Sequence, residues 1–199
     1  MSAERFWTNA WYQKSTWLVL LVPLSWLFRA ISRLRRIVLQ WRFQGQSYAM
    51  PVVVIGNISL GGSGKTPLII ALAKALSERG YSVGVVSRGY GGASAQYPLV
   101  VGPDTPVSQS GDEPLLIAKK LGCPIVVDPN RAIAVEKLVK SFSCDLILSD
   151  DGLQHYRLHR DVEIAVVDGR RRFGNGYTLP AGPLRESPRR LKEVDFIIQ

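Results

Sequence analysis

From Pro51 onward, short apolar runs rich in valine and isoleucine alternate with longer stretches of mixed character. The runs Val52–Ile55, Val83–Ser87, Pro124–Asp128, Leu146–Ser149, Ile164–Asp168 and Phe196–Ile198 predict strands, and Leu99–Val101 predicts a weaker one. Between them, Pro67–Glu78, Glu113–Leu121 and Arg131–Ser141 read as helices, the first two closed by Gly80 and Gly122. Pro67 suits a first helical turn, where its missing N–H loses no partner. Regular alternation of strand and helix predicts an α/β domain, a mostly parallel sheet flanked by helices. Two connections, Arg88–Pro98 and Gly169–Arg189, are long, and long ordered loops carry much of the substrate chemistry in such folds. The last run stops at Gln199 within an apparent core strand, so we expect the sequence to be the N-terminal part of a longer protein.

The first fifty residues differ in kind. Trp17–Phe28 is apolar, but Pro23 interrupts it and it falls short of the about 20 residues needed to cross a bilayer. All five tryptophans (Trp7, Trp11, Trp17, Trp26 and Trp41) lie here. So do seven basic residues (Arg5, Lys14, Arg29, Arg33, Arg35, Arg36 and Arg42) against the single acid Glu4, which is six of the nine net positive charges. Charge segregated with tryptophan and leucine argues against a nucleic-acid-binding domain. It suits an interfacial helix, with rings at headgroup depth and cations on anionic lipid. A signal peptide would carry its charge before the apolar run, whereas here most of it follows. A buried structural helix is the remaining alternative. The expected division is a membrane-surface region over 1–48 and a core over 49–199. Cys123 and Cys144 lack C-x-x-C spacing and read as reduced core residues, as in the cytoplasm.

The densest chemistry lies between the first strand and the first core helix. Gly61-Gly62-Ser63-Gly64-Lys65-Thr66 in that context reads as a phosphate-binding P-loop. Glycines turn backbone N–H groups toward an anion, the helix start adds partial positive charge, and Lys65 reaches the outer phosphates. Thr66 would offer its hydroxyl to magnesium. Ser59 occupies the position where the usual spacing has glycine, so Gly61 and Gly62 are expected to take over the turn. The competing reading is an ordinary glycine-rich turn.

Such a loop needs a carboxylate near its metal, and Asp150 and Asp151 close the run Leu146–Ser149. Adjacent strand residues face opposite ways, so both serve only if the strand ends there. Asp112 and Glu113 open a helix: either they answer the helix dipole, or Asp112 is the base for an acceptor hydroxyl. His155 and His159 have helical metal spacing but no further ligand pair. His155 is therefore read as a polar group beside the acids and His159 as a surface residue. Arg88 and Tyr90, in a glycine loop after the second strand, suit a phosphorylated sugar, and Arg185-Glu186 can enter the site from the second long loop. Arg170–Arg172 reads as a solvated face able to touch anionic lipid.

In order, Gly56-Asn57-Ile58 through Gly-Lys-Thr-Pro67, Ser87 to Gly92, Gly111 to Pro114, Asp150 to His155, and Phe173 to Glu186 resemble the tetraacyldisaccharide 4′-kinase family, the lipid A 4′-kinases. The resemblance implies a P-loop NTPase-like enzyme with an N-terminal membrane-associating helix, acting at the cytoplasmic face of the Gram-negative inner membrane. Such an enzyme transfers the ATP γ-phosphate to the 4′-hydroxyl of a tetraacylated glucosamine disaccharide 1-phosphate, giving lipid IVA, with Mg2+ as cofactor. By the same resemblance Lys65 and Thr66 meet the phosphates and magnesium, Asp112 is the catalytic base, and Asp150, Asp151 and His155 form the active-site cluster. Arg88 and Tyr90 lie near substrate, Arg185 and Glu186 belong to the active-site loop, and Glu186 joins Thr66, Asp150 and Asp151 around the metal. Family members are longer, and their C-terminal part supplies further strands and a histidine that partners the catalytic aspartate.

The alternative is a membrane-targeted P-loop ATPase or GTPase switch. Partitioning ATPases carry lysine immediately before Gly-Gly, where this chain has Leu60, and no Asn-Lys-x-Asp base-reading motif occurs.

Overall fold

The computed structural model describes residues 3–13, 15–43, 45 and 47–199; Lys14, one of the cations counted above, lies outside them. Seven strands form one sheet: β1 (Val52–Gly56), β2 (Val83–Ser87), β3 (Leu99–Val100), β4 (Ile125–Val127), β5 (Leu146–Asp150), β6 (Val162–Val166) and β7 (Phe196–Ile198). Their order is β3-β4-β2-β5-β1-β6-β7, parallel throughout except for β3 against β4. The helices are α1 (Ala3–Tyr12), α2 (Val22–Arg42), α3 (Lys65–Ser77), α4 (Val107–Ser110), α5 (Asp112–Lys120) and α6 (Arg131–Ser141), with 3-10 turns at Thr16–Leu21 and Pro188–Lys192.

The strand runs are almost wholly apolar because both faces of the sheet are covered. Successive side chains alternate between faces. Ile55, Val85, Val127 and Leu148 pack with Ile69 and Ala73 of α3 and Ile117 of α5. On the other face Val54, Val86, Val126 and Ile147 meet Ala134, Val135 and Leu138 of α6. Each of these valine, leucine and isoleucine side chains, fully buried, contributes about 1.5–3 kcal/mol.

Three expectations shift. The sixth strand begins at Val162 because Asp161 is already tied to β1: Val52 N–H donates to its carboxylate (2.7 Å) and its own N–H donates to Val52 C=O (2.9 Å). It ends at Val166, and Asp168 instead accepts from the N–H groups of Arg170 and Arg171. Pro23 does not interrupt the apolar run but lies in the first turn of α2, where proline fits. Thr16–Arg42 is consequently one continuous helical segment of 27 residues, long and apolar enough to cross a bilayer by length and composition.

The N-terminal helices dock on the loop before β7. Trp11 Nε1 donates to Pro180 C=O (2.9 Å), and Ser25 Oγ donates to Thr178 C=O (2.8 Å). Thr178 Oγ1 donates to Ser25 C=O (3.0 Å), and Ala181 N–H donates to Ser25 Oγ (3.0 Å). Outward, the segment exposes Leu20, Leu24, Trp26, Leu27, Ile31 and Leu34. The chain leaves β1 across β5 to reach β2 and later returns to the other side of β1, so a crevice opens at the carboxyl ends of these strands, the usual place for a ligand in such sheets.

Candidate active site

The loop after β1 explains why Ser59 replaces the expected glycine. Ser59 bridges Leu184, Leu60 N–H donates to Pro183 C=O (2.8 Å) and Arg185 N–H donates to Ile58 C=O (2.7 Å). Paired backbone here needs no left-handed residue. The turn moves to Gly61, at φ 98°, and Gly64 at φ 84° forms the cap of α3; Gly62 does not share the left-handed conformation. Lys65 is 9% exposed. Its Nζ donates to Asn57 Oδ1 (3.3 Å) and stands 3.4 Å from Asp151 Oδ1.

β5 ends at Asp150, and Asp151 turns away at φ 46°, so the two neighbouring carboxylates line one cavity. Asp150 is 1% exposed; its Oδ2 accepts from Ser87 Oγ (3.2 Å) and its buried Oδ1 has no partner. Burial, with the nearby charges of Glu113 and Asp151, pushes its pKa up to about 6. Burial also presses upward on Asp151, but Lys65, Arg185 and Arg131 together outweigh it and hold this carboxyl below the ordinary value. Arg185 Nη1 donates to Asp151 Oδ2 (3.0 Å), and Arg131 Nη2 holds the carbonyls of Asp150 (3.2 Å) and Asp151 (2.9 Å).

His155 lines the same cavity. Burial and the charges of Arg131, Arg160, Arg157 and Arg35 push its pKa down to about 3, so the ring is neutral, and its Nε2 is buried without a partner. His159 faces Asp161 instead (3.2 Å). Arg88 and the exposed Tyr90 line the cavity. Asp112 is exposed at the first residue of α5, behind Gly111, and makes no capping hydrogen bond; the cavity lining takes Glu113 instead.

Glu186 does not itself line this cavity but hydrogen-bonds Tyr156, which does, and its Oε1 is buried without a partner. Its Oε2 accepts from Tyr156 OH (2.6 Å) and stands 3.7 Å from Arg190 Nε, beside a separate cavity of about 170 Å³ next to α2. Successive side chains diverge here, Arg185 toward Asp151 and Glu186 toward Tyr156. The main cavity measures about 1700 Å³, and Trp7, Trp11 and Tyr12 of α1 line it together with Arg35 of α2.

A family model described as LpxK: Tetraacyldisaccharide-1-P 4′-kinase matches residues 17–199. The chain belongs to that family. It is 52% identical over 189 residues to the tetraacyldisaccharide 4′-kinase of Psychromonas ingrahamii, covering 94% of this chain and 59% of that protein. To the Aeromonas hydrophila enzyme of the same name it is 54% identical over 190 residues, covering 94% and 57%. The crystal structure of the "apo" form of LpxK from Aquifex aeolicus in complex with ATP superposes with a TM-score of 0.79 at 31% identity, covering 90% of this chain and 57% of that one. The chain thus spans 57–59% of the length of these relatives.

The cavity of this 4′-kinase family member also holds groups to which the sequence assigned no role there. Asn57, Arg131 and Gln154 line or brace it, and Glu113, expected only as a helix-opening acid, joins its lining. Arg131 was detectable by one rule: it opens the helix after the carboxyl end of β4, where doubly wound sheets place ligands. Among the described residues no group of three or more His, Cys, Asp or Glu side chains is arranged to hold a metal ion by itself. A hard cation shared between one or two carboxylates and phosphate oxygens needs no such group. The unpartnered Oδ1 of Asp150 and the buried Thr66 at the start of α3 fit that arrangement.

Proposed function

We propose that this protein transfers the γ-phosphoryl group of ATP to the 4′-hydroxyl of a tetraacylated glucosamine disaccharide 1-phosphate at the cytoplasmic face of the inner membrane. One observation carries the reading beyond family membership. Lys65 and the Asp150–Asp151 pair converge on a cavity that Trp7, Trp11 and Tyr12 of α1 also line, so the phosphate cradle and the N-terminal helices share one space.

In this reading Gly61–Thr66 cradle the phosphates, and Lys65 draws charge from the outer ones. Thr66, Asp150 and Asp151 would hold Mg2+, which when bound neutralises charge on the phosphate oxygens. Arg185 and Arg131 fix Asp151 and the end of β5, so the carboxylates need not reorganise. Arg88 and Tyr90 meet the sugar and its phosphate, and neutral His155 offers hydrogen bonds without adding charge. Asp112 takes the proton of the 4′-hydroxyl as that oxygen bonds to the γ-phosphorus and the bond from phosphorus to the bridging oxygen breaks, leaving ADP. Residues 1–48 bring the site to a membrane surface carrying anionic lipid, and nucleic acid has no part.

Asp112→Ala tests this assignment. Losing a general base lowers kcat by about 10²–10⁴-fold, with ATP affinity unchanged. A purely helical role for this carboxylate, at the positive end of the helix dipole, instead costs about 0.3–1 kcal/mol of stability and leaves kcat intact. Melting curves beside labelled phosphate transfer separate the two. ATP hydrolysis with no labelled lipid in the wild type would favour a nucleotide switch.

A further inference from the structure

The run Arg170–Arg172 lies in the loop after β6, and the reading above leaves it unused. Asp168 Oδ1 accepts from the N–H groups of Arg170 (2.9 Å) and Arg171 (2.8 Å), and Arg172 takes a left-handed φ of 45°. The loop folds back, and of the three arginines only Arg171 lines the main cavity. Its guanidinium carbon stands 5.7 Å from the centroid of the Tyr12 ring on α1. Its Nη1 lies 3.5 Å from where a Cβ on Gly61 would sit, four residues before Lys65 on the turn of the P-loop. Among the described residues its guanidinium forms no ion pair.

A planar, permanently charged group with unused donors on the rim of a phosphate cradle suits the oxygens of a transferring phosphoryl group. The face of Tyr12 holds the cation over the loop without competing for its N–H donors. Tyr12 is itself fixed, for Gly174 packs so closely that a Cβ there would meet its Cε1 at 3.3 Å. On the same helix Phe6 stacks on Trp17 at 6.0 Å and Trp7 sits 5.6 Å from it, at the start of the apolar segment.

We propose that Arg171 contacts the terminal phosphate of the bound nucleotide and stabilises its charge during transfer, with Tyr12 as its positioning residue. This rests on the kinase reading. It makes α1 part of the phosphate site as well as a wall of the acceptor cavity, so docking of the N-terminal helices sets the arginine.

The test has a kinetic arm and a binding arm, both on the intact protein. Arg171→Ala lowers kcat by about 10³-fold, the low end for such an arginine. Arg171→Lys restores little, because an ammonium lacks the planar fork. Tyr12→Leu lowers kcat roughly tenfold, and Tyr12→Phe, which keeps the ring face under the guanidinium, gives a smaller loss. In calorimetry, Arg171→Ala cuts the preference for a non-hydrolysable ATP analogue over ADP about tenfold, with the ADP Kd unchanged. Lys65→Ala, run alongside, weakens both nucleotides. The binding arm needs no acceptor: if the wild type labels no lipid yet Arg171→Ala still loses the preference for the ATP analogue, the acceptor assignment fails and the arginine contact stands. An unchanged preference in Arg171→Ala overturns the proposal whatever happens to kcat.

Discussion

At Asp150 a carboxylate is held almost out of reach of water, with one oxygen unpartnered and its pKa raised from 3.8 to about 6. The protonated form therefore favours the fold. That stability is fully present below the unfolded pKa and is lost as pH rises through about 6; the shift corresponds to a few kcal/mol, on the order of 3. Asp150→Asn should accordingly raise the melting temperature at pH 8, give no gain at pH 4, and abolish phosphoryl transfer. An equal change in melting temperature at both pH values would contradict the buried charge. The acidic pair was legible in the sequence because it closes an apolar run, but the left-handed turn at Asp151 that points both acids into one cavity was not. The surroundings of Glu186 were not legible for a related reason. Adjacency to Arg185 says nothing about divergence, and only the tertiary partners Tyr156 and Arg190 show which way it faces.

Among the elements, the core strands and helices were readable from valine and isoleucine runs and glycine stops, with edges moved by single hydrogen bonds such as those at Asp161. The N-terminal region was read as a membrane-surface helix, with a buried structural helix as the alternative. Its true form depends on long-range partners: Ala10 and Trp11 pack near Leu60 and Leu179, and Ser25 joins α2 to the loop at 178–181. Ser25→Ala removes a donor to Thr178 and leaves the Ala181 N–H buried without an acceptor. The cost should be about 1–3 kcal/mol, a drop of roughly 3–10 °C in melting temperature. Calorimetric scanning checks it, and a melting temperature within about a degree of wild type would show that this joint does not hold the helices.

For the molecule as a whole, the sheet brings the ends of β1, β2 and β5 together beneath helices that expose Leu20, Leu24 and Leu27. Replacing those three leucines with glutamine removes about 1.5–3 kcal/mol of apolar burial apiece at a membrane. The variant should leave the membrane fraction and show a raised KM for the lipid acceptor while its KM for ATP stays put. Unaltered sedimentation and acceptor KM would refute a lipid-facing role. Whether the phosphate cradle and the N-terminal helices serve one transfer is decided by following label from γ-labelled ATP into tetraacyldisaccharide 1-phosphate with the wild type and Lys65→Ala. The wild type should yield a labelled bisphosphorylated lipid and a folded Lys65→Ala protein none. Equal labelling by the two would contradict it.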